Sequence, residues 1–168
     1  MRVTTAFNRL LRLEGVNVTD VVFGLTTITV TVALRRRRLA CPRCGFETRF
    51  RYDTRPCPSS WRHLDVGVWR VQVSSTLRRL VCPTHGVVVE AVPFARPGAH
   101  LTRDFDDLLA WLATRMDKTS IARLCRVSQI PGLWPQLEGT RQLTGLEGPL
   151  GTRRIIELPL DQSVGRGQ

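Results

Sequence analysis

Two stretches of this 168-residue chain carry side chains that could do chemistry together: Cys41-Pro42-Arg43-Cys44-Gly45 and Cys82-Pro83-Thr84-His85-Gly86. They follow one pattern, Cys-Pro-x-ligand-Gly, with a thiol exchanged for an imidazole in the second. A two-residue spacing lets a single tight turn supply two metal ligands, and zinc takes four such nitrogen and sulfur donors in a tetrahedron. The glycine after each pair permits the positive φ such a turn requires, and the proline stiffens its approach. Four protein ligands leave no open position for a catalytic water, so the expected cofactor is a structural Zn2+ held by Cys41, Cys44, Cys82 and His85.

The competing chemistries fit less well. A disulfide framework wants an even number of cysteines in a secreted chain. Here there are five, and the N-terminal apolar residues are interrupted by Arg9, Arg12 and Glu14, unlike a secretory signal. A thioredoxin-like redox pair needs a βαβ setting, whereas the flanking residues read as hairpins. Cys57 and His63 lie between the two pairs, and either could replace His85 as the fourth ligand. For His63 a hydrogen-bonded place beside Trp61 or Trp69 is the simpler expectation. Cys125 fits an apolar helix face as core, and His100 has no assigned role. No apolar run reaches the length of about 18 residues that a membrane span needs, so a cytoplasmic protein is expected.

The elements that must position these ligands are β-rich over residues 1–100. After a short amphipathic stretch with Phe7, Leu10 and Leu11, two β-branched runs, VNVTDVVFG and LTTITVTVAL, flank a turn at Gly24-Leu25. A second β pair is expected within DVGVWRVQVSSTLRRLVC, where Val66, Val68, Val71 and Val73 lie close to period two. GVVVEAVPFA makes a last strand, stopped by Pro93. Each ligand pair then sits at the end of a β pair, the layout of a zinc ribbon.

From residue 101 the periodicity changes. Phe105, Leu108, Leu109 and Leu112 recur at helical spacing, with Thr102 as N-cap and Asp104, Asp106 and Asp107 in the first turn. A second short helix carries Ile121, Leu124 and Cys125 on one side, and two short helices joined by a tight turn look like the start of a helix-turn-helix unit. Residues 129–168 hold Gly and Pro without periodicity, and Pro131, Gly132 and Pro135 oppose a third helix. The fold class is therefore α+β: a zinc-ribbon-like domain at 1–100, a partial helix-turn-helix at 101–128 and an irregular tail at 129–168.

Charge points to a polyanionic partner. The net charge is +11, and residues 1–127 carry 21 Lys or Arg against 10 Asp or Glu, so the excess lies ahead of the tail. The arginines best placed for phosphates are Arg35, Arg36, Arg37 and Arg38 before the first ligand pair, Arg49 and Arg51 after it, and Arg78 and Arg79 before the second. Lys118, Thr119 and Arg123 add contacts from the second helix. Such contacts give salt-sensitive affinity with little sequence preference. A solvated strand end is the alternative for Arg35–Arg38.

Together the CPRCG pair, WRHLD, RRLVCPTHGVVVEAVPFARPGA and LTRDFDDLLAWLATRMDKTSIARLCRVS resemble the N-terminal region of bacterial insertion-sequence transposases of the ISL-three family. The resemblance covers roughly residues 1–128. It implies a zinc finger and a helix-turn-helix that bind the terminal inverted repeats of a mobile element. In the family a catalytic domain of RNase H-like fold follows, cutting and joining DNA with three acidic residues and divalent metal. After Val127 and Ser128 the likeness, the positive charge and the helical period stop together, as a change of reading frame would produce. The expected function is thus DNA binding at transposon ends, weakened by a missing recognition helix and without enzymatic activity, membrane contact or small-molecule substrate. The alternative is a zinc-stabilised protein-interaction module that inhibits full-length transposase by mixed assembly.

Overall fold

A computed structural model of the chain describes residues 2–127, so the irregular tail expected over 129–168 lies outside the described residues. In chain order the elements are α1 (Val3–Leu11), β1 (Val16–Phe23), β2 (Thr27–Leu34), β3 (Leu39–Ala40), β4 (Glu47–Thr48), β5 (Asp53–Thr54), β6 (Ser59–Val66), β7 (Trp69–Ser75), β8 (Arg78–Cys82), β9 (Gly86–Val89), α2 (Arg103–Ala113) and α3 (Lys118–Cys125). The mixture of many strands with three helices is an α+β architecture among the described residues.

Two hairpins build the larger sheet. β1 and β2 pair antiparallel across the Gly24 turn, and β6 and β7 pair antiparallel across Gly67 and Val68. They join through a parallel contact between β2 and β7, Thr27 opposite Arg70 and Val30 opposite Val73, giving the order β1-β2-β7-β6. Alternation along the two central strands turns Ile28, Val30, Val32, Val71 and Val73 to one face. There they pack with Phe7 and Leu11 of α1, with Trp61 and with Phe94. The ring of Trp61 meets Phe94 edge-on, with centroids 5.0 Å apart.

Three sequence expectations shift here. Val66 and Val68 do not share a strand with Val71, because the turn falls between them and leaves Val68 exposed. Leu10, Leu108 and Leu124 are exposed although they lie within one residue of the apolar helix faces. Thr102 takes the N-cap position of α2 with extended backbone, but its hydroxyl makes no capping hydrogen bond. It contacts His63 Nδ1 instead, at 2.7 Å.

The two ligand pairs occupy smaller sheets. β3 and β4 form a two-residue ladder around the first, and β8 and β9 pair antiparallel around the second, with β5 on the far side of β8. Beyond them α2 and α3 close a separate apolar cluster of Leu101, Phe105, Leu109, Leu112, Ile121, Cys125 and Val127, to which β6 contributes Leu64. β6 thus bridges the sheet core and the helical pair. Arg62 exchanges backbone hydrogen bonds with His100 and Thr102, sets its guanidinium over the Phe105 ring at 5.3 Å, and pairs with Asp65. Asp65 also pairs with Arg126 at the end of α3, at 3.0 Å.

Candidate functional site

The first ligand pair sits in a turn that the backbone closes twice. The Cys41 N–H donates to the Phe46 carbonyl at 2.8 Å, and the Gly45 N–H donates to the Cys41 carbonyl at 3.0 Å. In the second, Cys82 and Gly86 are register partners, so Pro83, Thr84 and His85 form the turn itself. Gly45 and Gly86 both take positive φ, 72° and 67°, as the sequence pattern requires. An added Cβ would meet nothing within 4 Å at either glycine, so the constraint is conformational rather than steric.

The two turns face one another. One ligand atom from each of Cys41, Cys44, Cys82 and His85 lies within 4.8 Å of the other three. Cys44 Sγ is 3.5 Å from Cys82 Sγ, and His85 Nδ1 is 3.5 Å from Cys82 Sγ and 3.7 Å from Cys41 Sγ. No bond joins the thiols, since a disulfide would bring the sulfurs to about 2.05 Å. Three thiols and an imidazole converging from two turns can hold one metal ion. Neither of the alternative fourth ligands joins them: Cys57 is exposed, and His63 is buried against Thr102.

Electrostatics at the thiols favour a ligand role. Burial opposes ionisation of Cys41, but backbone donors at Arg43 and Cys44 and the neighbouring thiols of Cys44 and Cys82 outweigh it, bringing its pKa down to about 6. At Cys44 the Phe46 backbone donor lowers the pKa. The adjoining thiols of Cys82 and Cys41, together with burial, raise it by more. One thiolate thus forms readily and its neighbour resists a second charge, a conflict that a divalent cation relieves. Elsewhere burial pushes the His63 imidazole and the Cys125 thiol toward their neutral forms.

The arginines expected to meet phosphates divide into engaged and open groups. Arg78 donates to both carboxylate oxygens of the buried Glu90, at 2.8 and 2.6 Å, and this pairing raises its pKa. Arg79 pairs with Asp53 and holds that carboxyl below its usual range. These two guanidiniums tie β8 to Glu90 and to β5, and each keeps part of its side chain exposed. Arg36 and Arg38 share Glu47, at 2.9 and 3.8 Å, Arg35 donates to Asn17, and Arg51 donates to Thr54. Arg37 and Arg49 make no ion pair among the described residues and join Arg36 and Arg38 around an open basic recess of about 510 Å3. Lys118, Thr119 and Arg123 are exposed on α3.

Two features escaped sequence reasoning. Glu90 follows an apolar run and gives no local hint of its partner twelve positions away. Asp117 is the true N-cap of α3: it accepts from the Ser120 N–H at 2.9 Å and from the Ser120 hydroxyl at 2.6 Å. An aspartate just before a helical period was a readable signal for it.

Residues 90–129 match the helix-turn-helix domain of transposase family ISL3, a span that contains all of α2 and α3. Over 88 residues the chain is 42% identical to the transposase for insertion sequence element IS1557 of Mycobacterium tuberculosis, in strains CDC 1551 / Oshkosh and ATCC 25618 / H37Rv. That match covers 52% of this chain and 20% of each relative, so the chain spans about a fifth of the length of the curated relatives it matches. No solved structure matches it.

Proposed function

We propose that this chain, whose matched segments are those of ISL3-family transposases, is a cytoplasmic, zinc-stabilised DNA-binding module directed at the terminal inverted repeats of a mobile element. Residues 1–100 would act as the zinc-bearing unit and residues 101–128 as the helix-turn-helix part. The observation that carries the reading is the match of the helix-turn-helix domain to the segment that folds as α2 and α3.

The donor geometry supports zinc as the ion. With Zn–S about 2.3 Å and Zn–N about 2.0–2.1 Å, a tetrahedron has edges of about 3.5–3.8 Å. The three close contacts among the ligand atoms measure 3.5, 3.5 and 3.7 Å. Magnesium and calcium prefer oxygen, and no carboxylate belongs to the group. The metal's role is to join two turns, with no open position for substrate.

Phosphate contacts would come from Arg37 and Arg49 beside the first turn and from Lys118, Thr119 and Arg123 on α3. Arg35, Arg36, Arg38 and Arg51 would contribute by giving up a weak exposed partner. Binding of this kind falls steeply with salt. The test is a gel shift of the zinc-loaded protein on inverted-repeat duplex and on a scrambled duplex, each at low and high salt. Tighter binding to the repeat at both salt levels supports the proposal. Absence of any shift at low salt would refute it.

A further inference from the structure

A groove of about 700 Å3 runs between the first ligand turn and the start of α2, apart from the basic recess already described. One wall is the Cys41–Gly45 turn, and the opposite wall is the Arg96–Arg103 loop that leads into α2. The floor is apolar, formed by Trp61 and Leu77. At the rim stand Arg55, His100 and Arg103, none of which the sequence singled out as a phosphate contact.

The charge balance of this groove is decided by who is already paired. Its single acidic lining residue, Glu90, is buried and taken by Arg78, so it offers no negative charge to a ligand. Arg96 is held by Asp106 and Asp107 of α2 and serves to pin the loop wall. Among the described residues the Arg55 guanidinium donates to the Ser59 hydroxyl, at 2.9 Å, and makes no ion pair, and neither does that of Arg103. The groove lining therefore includes two guanidiniums without an ion pair among the described residues, together with the apolar side chains of Trp61 and Leu77. That combination suits a sugar–phosphate chain, whose phosphates seek the cations while its sugar faces lie on apolar carbon.

We propose that this groove is a second DNA-backbone seat, in which Arg55 and Arg103 clamp adjacent phosphates, His100 donates a further hydrogen bond, and one duplex is held against both the metal turn and α2. The seat rests on the DNA-binding reading above and extends it to a surface that the helical pair does not supply. It also gives the metal a part in binding, because the ion fixes the turn that forms one wall.

The test compares zinc-loaded wild type with the double variant Arg55→Ala/Arg103→Ala on a random-sequence duplex across a salt series. Removing two phosphate contacts lowers the slope of log affinity against log salt by about 2, so the wild-type advantage shrinks about tenfold between about 50 and 200 mM salt. Arg55→Lys/Arg103→Lys keeps the slope. Arg9→Ala/Arg70→Ala, which removes the same charge outside the groove, changes it by less than half as much. Zinc content and far-UV circular dichroism confirm that each variant folds. A slope in Arg55→Ala/Arg103→Ala equal to wild type, while wild type binds DNA, overturns the groove alone. Loss of all binding in wild type overturns the parent reading instead.

Discussion

Among the described residues thirteen side chains are buried in the cluster beneath the four-stranded sheet, whereas four are buried between the two cysteine turns, and two of those four are the candidate ligands Cys41 and Cys82. The larger sheet has what an independent fold needs: long paired strands, alternating β-branched residues and a covering helix. The smaller region has a two-residue ladder, one short hairpin, and Leu39 and Leu80 as its remaining buried apolar side chains, with Val88 packed against them. An isolated ladder of that size is not stable in water. One region is therefore held by buried area, and the other, on the proposed reading, depends on a metal held by the Cys3His cluster, although both belong to one β-rich unit.

The comparison breaks most visibly at a ligand. Cys82→Ser should abolish metal retention, a contribution of about 10–16 kcal/mol in small zinc modules. Amide exchange should become fast over 39–48 and 78–89 while β1, β2 and β7 stay protected; uniform loss of protection would mean that the two regions are not held separately. Next in size is the reverse experiment. Ile28→Ala, in the centre of β2, should cost about 2–5 kcal/mol in urea unfolding with zinc stoichiometry unchanged in the folded fraction. If zinc is lost in proportion, the sheet is needed to assemble the site.

A smaller effect is expected at the helical pair. Asp117→Ala removes the N-cap of α3 and should lower stability by about 1 kcal/mol, seen as a downward shift in thermal midpoint, with exchange in the larger sheet unaffected. The smallest concerns pH. His63 is buried at 4% relative exposure, and burial lowers its folded pKa below the reference value of 6.5; the nearby Asp104 opposes this and Arg62 adds to it. Its contribution is therefore fully present above 6.5 and is lost as pH falls through the folded value. The stability advantage of wild type over His63→Gln should shrink between about pH 7.5 and pH 5.5, and a constant difference would contradict a neutral buried imidazole.

The same contrast explains what was legible in the sequence. Paired donors are written locally, so the two Cys-Pro-x-ligand-Gly patterns identified the four converging residues, and the glycines took the φ expected of them. Helical faces were legible wherever the covering element is near, as at Phe105, Leu109 and Ile121. β6 was harder, because SSWRHLDV alternates between a sheet core and a helical cluster and therefore shows no simple apolar period. The parallel pairing of β2 with β7 joins residues some forty positions apart and leaves no mark on either strand. The ion pairs of Arg78 with Glu90 and of Arg79 with Asp53 were hidden for the same reason: those carboxylates come close only after folding.

The central claim is that one ion joins the two turns. Native mass spectrometry of the chain as purified, followed by thiol alkylation with and without a strong chelator, tests it most directly. The account predicts one zinc per chain, with the exposed Cys57 alkylated at once and Cys41, Cys44 and Cys82 protected until the chelator is added. A chain without bound metal, or one in which the exposed Cys44 reacts as fast as Cys57 before chelation, would contradict it.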